Sequence, residues 1–188
     1  MKFADYIPLA MRTCKELPPE EHVMHMALGI AGEMGEIIDA LKKHHIYGKI
    51  LDQANIVEEV GDVAYYVAGL LSMTPELLET LEDGQLTVDL ETLATAQQHT
   101  LHSVLSLNLG FATILEDIVD PIDEGFVDHV EGCVHTLHAL VLLLNIDLEQ
   151  ALDINIAKLA KRYGDKYSDY NAINRDLTAE RKILEEGV

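Results

Sequence analysis

Four carboxylates in the first third of the chain stand in two pairs with the same spacing. Glu33 and Glu36 are three residues apart, and so are Glu59 and Asp62. On an α-helix this spacing puts both carboxylates of a pair on one face, about 5 to 6 Å apart at Cβ. A turn at residues 45–49 separates the two predicted helices, so they can fold back antiparallel and bring the four carboxylates together. Such sets of oxygen ligands suit hard cations, chiefly Mg2+ or Mn2+.

The simpler interpretation of these pairs is a polar helix face that points to water. The flanking sequence argues against it, because both pairs interrupt apolar runs and glycines stand at positions 29, 32, 35 and 61. A glycine inside a helix costs about 1 kcal/mol relative to alanine, so these glycines indicate close packing or clearance for a ligand. A carboxylate buried among apolar residues must be paired or bound to a metal. The sequence therefore favours a metal site.

The order of the acids resembles the signature of a known family. The elements that carry the resemblance are, in chain order, Glu33-x-x-Glu36, a spacer of 22 residues, Glu59-x-x-Asp62 and, much later, Asn155-x-x-Lys158-x-x-x-Arg162-Tyr163. Together with the segments around them, this pattern is similar to the all-α NTP pyrophosphohydrolases, the MazG-like superfamily that includes the dimeric dUTPases. The resemblance implies an all-α, four-helix-bundle-like fold.

The resemblance also implies an activity and a set of site residues. Enzymes of this kind use Mg2+ to hydrolyse a nucleoside triphosphate between the α and β phosphates, which gives the monophosphate and pyrophosphate. The implied metal ligands are Glu33, Glu36, Glu59 and Asp62. Glu36 and Glu59 are the predicted catalytic acids, and the sequence leaves open which carboxylate is the general base.

Four further residues are predicted to hold the substrate phosphates: Lys49, Asn155, Lys158 and Arg162. The last three share one stripe of a predicted helix, and Lys49 lies in the turn between the acidic helices. Amide and cationic donors suit a polyphosphate chain. For the cations, the alternative is an ion pair on the surface of a very acidic protein.

The charge balance limits the partners. The formal net charge of −20 argues against nucleic acid and anionic membranes, which both require a basic patch. It also repels a nucleotide, and a divalent cation between phosphates and carboxylates would remove that conflict locally. Cys14 and Cys133 give no disulfide framework, the first fifteen residues lack the apolar core of a signal peptide, and the most apolar run, at 134–146, is shorter than a membrane span. We therefore expect a cytoplasmic protein.

Start and stop signals predict helices throughout the chain. The predicted helices cover residues 3–17, 20–45, 51–73, 75–83, 90–119, 122–145 and 148–163, with Asp147 as the start of a capping box before the last one. No segment alternates polar and apolar residues as a strand does. We predict one all-α domain made of a metal-binding hairpin at 19–73, an inserted or degenerate second helical unit at 74–145, and a phosphate-contacting helix with a tail at 147–188.

A weak internal repeat bears on the second unit. Residues 25–41 align with 102–118, and residues 57–70 align with 127–140. In this alignment the four acids of the first copy are replaced in the second by Gly110, Thr113, His129 and Gly132. A true duplication would give a pseudo-dimeric bundle with one catalytic and one structural hairpin. Generic helical periodicity is the alternative, and the apolar content of the unit leaves room for a homodimer.

Two histidine pairs, His99/His102 and His135/His138, offer a different metal site. Their spacing of three residues on helices would suit zinc or a di-iron centre. Di-iron bundles also need Glu-x-x-His elements, and this sequence contains none. Ordinary hydrogen-bonded helix histidines are the favoured interpretation.

Two other functions are compatible with the same residues. One is a related phosphohydrolase that acts on modified nucleotides, and the other is a helical protein that binds nucleotide or metal without turnover. The intact quartet of acids and the retained Lys158 and Arg162 favour an enzyme over the second alternative.

Overall fold

The computed structural model describes residues 1–81, 100–118 and 125–187, and these parts of the chain are helical without any strand. The helices are α1 Phe3–Met11, α2 Pro19–Tyr47, α3 Gln53–Leu71, α4 Pro75–Leu81, α5 Thr100–Ile118, α6 Phe126–Leu144, α7 Leu148–Tyr163, α8 Asp169–Ile173 and α9 Leu177–Gly187. The predicted all-α class is confirmed for the described residues.

The helices that build the site begin and end at residues whose backbone or side-chain chemistry favours a helix end. Pro19 opens α2, and Gly48 closes it in the left-handed conformation at φ 65°, which a side chain would disfavour. The side chain of Asp52 accepts a hydrogen bond from the Asn55 N–H at the start of α3, and Asp147 accepts one from the Gln150 N–H at the start of α7. Gly164, at φ 67°, follows the end of α7.

Two sequence expectations differ from the structure, and a third lies outside the described residues. The first helix ends at Met11, not at Leu17, and a non-helical segment leads from there to Pro18. The expected tail contains two helices, α8 and α9, that were not predicted. The proposed helix stop at Gly84 and the first part of the helix expected at 90–119 lie outside the described residues.

α2 and α3 form an antiparallel hairpin whose register is fixed by close contacts. Met26 packs against Gly69, Tyr66 packs against Gly29, and Glu33 meets Asp62 one to two turns further along. α3 is the central helix, because it contacts α1, α2, α6, α7 and α9. Val60, Val63, Ala64 and Val67 of α3 are each 0% exposed, so this helix supplies much of the core.

A second hairpin, α5 and α6, packs on the first through contacts between α5 and α2 and between α6 and α3. One hydrophobic core runs through both hairpins and α1. The pairing within the second hairpin is offset from that in the first. Glu33 meets Asp62 in the first hairpin, and their counterparts in the alignment are Gly110 and Gly132, but Gly132 faces Ile114. The duplication therefore stays a prediction.

α6 is, in the described part of the chain, the one helix that is long and apolar enough by length and composition to cross a membrane. It is longer than the apolar run at 134–146 that the sequence singles out. The core helix of a soluble protein passes the same test, and Val130, Val134 and Leu137 of α6 belong to the core.

Candidate functional site

The α2–α3 hairpin brings three of the four predicted metal ligands together. Carboxylate oxygens of Glu33, Glu59 and Asp62 all lie within 4.8 Å of one another. Glu36 is exposed, outside this group, although its charge is near enough to raise the pKa of Glu33. The structure thus assembles a carboxylate triad, and the place of Glu36 as a fourth ligand stays a prediction.

The three carboxylates of the triad perturb one another. Burial raises the pKa of Glu33, and the negative charge of Asp62 raises it further. Burial, a hydrogen bond to Glu33 and the charges of Glu33 and Asp62 raise the pKa of Glu59 to about 9. The Glu33–Glu59 pair therefore holds a proton more tightly than a solvated carboxyl group does. Such a site has an excess of negative charge that a cation would relieve.

α7 supplies the partners that orient Asp62. The Lys158 ammonium donates hydrogen bonds to both Asp62 oxygens, at 2.6 Å to Oδ1, and to Glu58 Oε1 at 3.3 Å. Asn155 Nδ2 donates to Asp62 Oδ1 at 2.7 Å, and Asn155 Oδ1 accepts from the Tyr6 hydroxyl at 2.7 Å. Lys158 is 1% exposed and Asn155 is 2% exposed. Both predicted phosphate ligands thus bind a carboxylate of the triad, and phosphate contact by either of them stays a prediction.

Two of the four glycines near the acids are explained by packing. A Cβ on Gly61 would lie 3.2 Å from the Ala151 carbonyl oxygen, so Gly61 lets α7 approach α3 closely. A Cβ on Gly29 would lie 2.3 Å from the Tyr66 ring, so Gly29 makes room for that ring beside the triad. Gly32 and Gly35 are exposed, and among the described residues no atom beyond their chain neighbours and the backbone of their own helix lies within 4 Å of an added Cβ.

A cavity of about 720 Å³ adjoins the triad. Of the predicted site residues, Glu33, Asp62 and Arg162 line it. Aromatic side chains form another part of its wall: Tyr65, Tyr66, Tyr163, Tyr167 and His25. The Tyr65 and Tyr66 rings meet edge to face with centroids 5.3 Å apart. The cavity therefore combines carboxylates, cations and aromatic surfaces in one place.

Arg162 is held by a carboxylate that the sequence did not single out. Its Nε and Nη2 donate to Glu180 Oε1 and Oε2 at 3.0 and 2.6 Å, and Arg175 Nη2 donates to the same Oε2 at 2.7 Å. Glu180 is 2% exposed, and Arg175 also lines the cavity. A helix-start signal in the sequence could have found it. Asp176 stands just before α9, and its side chain accepts a hydrogen bond from the Ala179 N–H in the first turn of that helix. An Asp before an amphipathic stretch is a helix start that the sequence reading passed over.

The remaining predicted residues lie away from the triad. Lys49 is exposed in the turn after α2, where its carbonyl oxygen is 2.7 Å from His44 Nδ1, and it does not line the cavity. His99 lies outside the described residues. In the described ranges the acidic triad is the one group of potential metal ligands, so His102, His135 and His138 form no such cluster there.

A scan against protein-family models found no match, and comparisons with curated proteins and with solved structures found none either. The resemblance to the MazG-like superfamily therefore stays a prediction.

Proposed function

We propose that this protein is a Mg2+-dependent nucleoside triphosphate pyrophosphohydrolase with a MazG-like fold. The observation that carries the proposal is the carboxylate triad of Glu33, Glu59 and Asp62 at a cavity that also presents arginine and tyrosine side chains. A triphosphate needs a cation for its oxygens, donors for its negative charge and an aromatic surface for its base. The cavity offers groups suited to each of these needs.

The residues present fit a divalent cation. Three oxygen donors within 4.8 Å of one another match the ligands that Mg2+ and Mn2+ take. Lys158 offsets one of the negative charges, and the raised pKa of Glu59 indicates that negative charge remains in excess. Glu33, Glu59 and Asp62 would hold the ion, with Glu36 as the predicted fourth ligand. The bound ion would neutralise phosphate charge and lower the pKa of a water molecule.

The side chains of the chain itself would then position substrate and move a proton. Water attacks the α phosphorus, the bond from that phosphorus to the bridging oxygen breaks, and pyrophosphate leaves. Glu36 has two predicted roles, fourth metal ligand and catalytic acid. Its exposure and its place outside the triad favour the second, in which its carboxylate accepts the proton of the attacking water. Because burial and Glu33 raise the pKa of Glu59, the Glu33–Glu59 pair retains a proton that a bound metal would displace. Lys158 and Asn155 keep Asp62 in one orientation.

The aromatic part of the cavity wall would receive the nucleoside. Tyr66 lies over Gly29 beside the triad, and His25 meets the Tyr66 ring edge to face at 6.0 Å. Nδ1 of His25 is buried and has no hydrogen-bond partner among the described residues. Stacking on tyrosine is sequence-tolerant, because every base has a flat face. These contacts support a nucleotide substrate without selecting one base.

The experiment that tests this function is pyrophosphate release by the purified protein from ribo- and deoxyribonucleoside triphosphates, with Mg2+ or Mn2+. We expect release from at least one of them, and we expect Asp62→Asn to abolish it while helical circular dichroism is unchanged. Asp153→Asn, on the exposed side of α7, is the matched control and should keep full activity. Metal or nucleotide binding without any release would instead favour a binding protein, and release only from modified nucleotides would favour the related phosphohydrolase.

A homodimer and the pseudo-dimeric origin of the fold are part of the same proposal. The α5–α6 hairpin covers the α2–α3 hairpin through contacts of α5 with α2 and of α6 with α3, as a partner subunit would. Sedimentation velocity of the purified protein measures the oligomeric state, and we expect the mass of a dimer.

A further inference from the structure

We propose that Arg162 and Arg175, held together by Glu180, bind the terminal phosphate groups of the substrate, the part that leaves as pyrophosphate. The inference rests on the proposed function and adds Arg175 as a binding residue and Glu180 as a positioning residue. Neither belongs to the sequence pattern that suggested the activity.

The three side chains form a compact ion cluster. Arg162 makes a bidentate contact with Glu180, and Arg175 approaches Glu180 Oε2 with Nη2 at 2.7 Å and Nε at 3.3 Å. The Glu180 side chain is 2% exposed, whereas that of Arg175 is 38% exposed. The carboxylate is therefore shielded from the solvent while the second guanidinium reaches it. Both arginines line the cavity that Glu33 and Asp62 also line.

The charge of the cluster is unbalanced toward the positive. Two guanidinium groups face one carboxylate, which leaves a net charge of +1 at the cavity wall. Each guanidinium carries about five N–H donors, and Glu180 accepts four bonds from the pair, so donors remain for a ligand. Planar guanidinium groups match phosphate oxygens in a bidentate manner. A single arginine would suffice for the ion pair that joins α9 to α7.

The rest of the cavity explains why these cations would face the phosphates. Glu20, Glu21, Glu33 and Asp62 give the wall negative charge, and Lys15 is the remaining lysine or arginine that lines it. Lys15 Nζ is 2.7 Å from Asp169 Oδ1, so its charge is offset. The arginine cluster is thus the part of the cavity wall with an excess of positive charge. The negative charge of a triphosphate chain is concentrated at its terminal groups.

The test compares Arg175→Gln with a matched surface variant, Arg181→Gln. Arg181 is also 38% exposed and also pairs with carboxylates, those of Asp52 and Glu185, but it does not line the cavity. Binding of inorganic tripolyphosphate is measured by calorimetry with Mg2+, and KM and kcat are measured with the best triphosphate substrate. Arg175→Lys keeps the charge but loses the planar fork.

We expect Arg175→Gln to weaken tripolyphosphate binding and to raise KM by about tenfold, the effect of one charge-assisted contact, with kcat within about threefold of the wild type. Inhibition by the nucleoside monophosphate product should stay unchanged, because the product lacks the terminal groups. The tripolyphosphate affinity and KM of Arg175→Lys should lie between those of Arg175→Gln and the wild type. Arg181→Gln should have the same values as the wild type.

Unchanged tripolyphosphate binding in Arg175→Gln, or an equal effect of Arg181→Gln, would overturn the inference. Equal losses in Arg175→Gln and Arg175→Lys, accompanied by a lower melting temperature, would assign Arg175 a structural role only. If the wild type turns over no triphosphate, the proposed function fails by itself, and tripolyphosphate binding still decides whether the arginines form an anion site.

Discussion

Lys158 Nζ donates hydrogen bonds to both carboxylate oxygens of Asp62, and the lysine side chain is only 1% exposed. A buried ammonium is costly unless it is paired, and here two acids of α3, Asp62 and Glu58, pair with it. The contact ties α7 to the hairpin that carries the carboxylate triad.

Removal of the Lys158 ammonium should therefore destabilise the fold. Lys158→Met would leave Asp62 and Glu58 without their cation, and we expect a loss of about 3 kcal/mol in the free energy of unfolding. Urea denaturation monitored by circular dichroism measures it. Lys161→Met, exposed on the same helix, is the control and should change stability by less than about 0.5 kcal/mol. Equal stability of the two variants would contradict the pairing.

The raised pKa of Glu59 predicts how stability depends on pH without metal. The folded state holds the Glu59 proton up to about pH 9, whereas the group titrates near its ordinary value of 4.5 when unfolded. The contribution of this proton to stability is therefore complete below pH 4.5 and is lost as the pH rises through about 9. In buffer with a chelator, we expect Glu59→Gln to weaken this loss of stability, as measured by urea denaturation across that range.

The control for Glu59→Gln is Glu186→Gln, whose side chain is exposed on α9. The pH dependence of its stability should equal that of the wild type. In the wild type, Mg2+ should displace the proton, which calorimetry in buffers of different ionisation enthalpy detects as proton release. A pH dependence that is the same in Glu59→Gln and in the wild type would refute the assignment.

The glycines of α2 give a test of the packing around Tyr66. Gly29→Ala would place a Cβ 2.3 Å from the Tyr66 ring, so the ring must move and we expect a loss of about 1 to 3 kcal/mol in the free energy of unfolding. Gly32→Ala on the same helix meets no atom within 4 Å and should be neutral or stabilising by up to about 1 kcal/mol. Thermal unfolding of both variants measures the difference. A Gly29→Ala variant as stable as Gly32→Ala would show that Tyr66 does not occupy this position.

Local chemistry made much of the helical frame predictable. Gly48, Asp147 and Gly164 act at helix ends through their own backbone and side-chain preferences, so short segments of sequence were enough there. The cap of α3 at Asp52 was not singled out from the sequence. The spacing of Glu33, Glu59 and Asp62 indicated their meeting, because helical periodicity and a short turn fix which faces can meet.

Long-range partners could not be predicted in the same way. The choice of Asp62 as the partner of Lys158 depends on how α7 packs on α3, which helical spacing does not encode. Arg175 and Glu180 lie 13 and 18 residues after Arg162, beyond the last helix expected from the sequence, so their meeting was hidden by the unpredicted fold of the chain end. The exposure of Glu36 likewise depends on how α2 packs against its neighbours beyond Glu33, which helical spacing does not encode.

The most direct test of the central claim is hydrolysis of the best triphosphate substrate in 18O-labelled water with Mg2+, with the products identified by phosphorus NMR and mass spectrometry. The account predicts nucleoside monophosphate that carries the label and unlabelled pyrophosphate, with neither product formed by Asp62→Asn. Label in the pyrophosphate, or nucleoside diphosphate and phosphate as the products, would contradict attack at the α phosphorus.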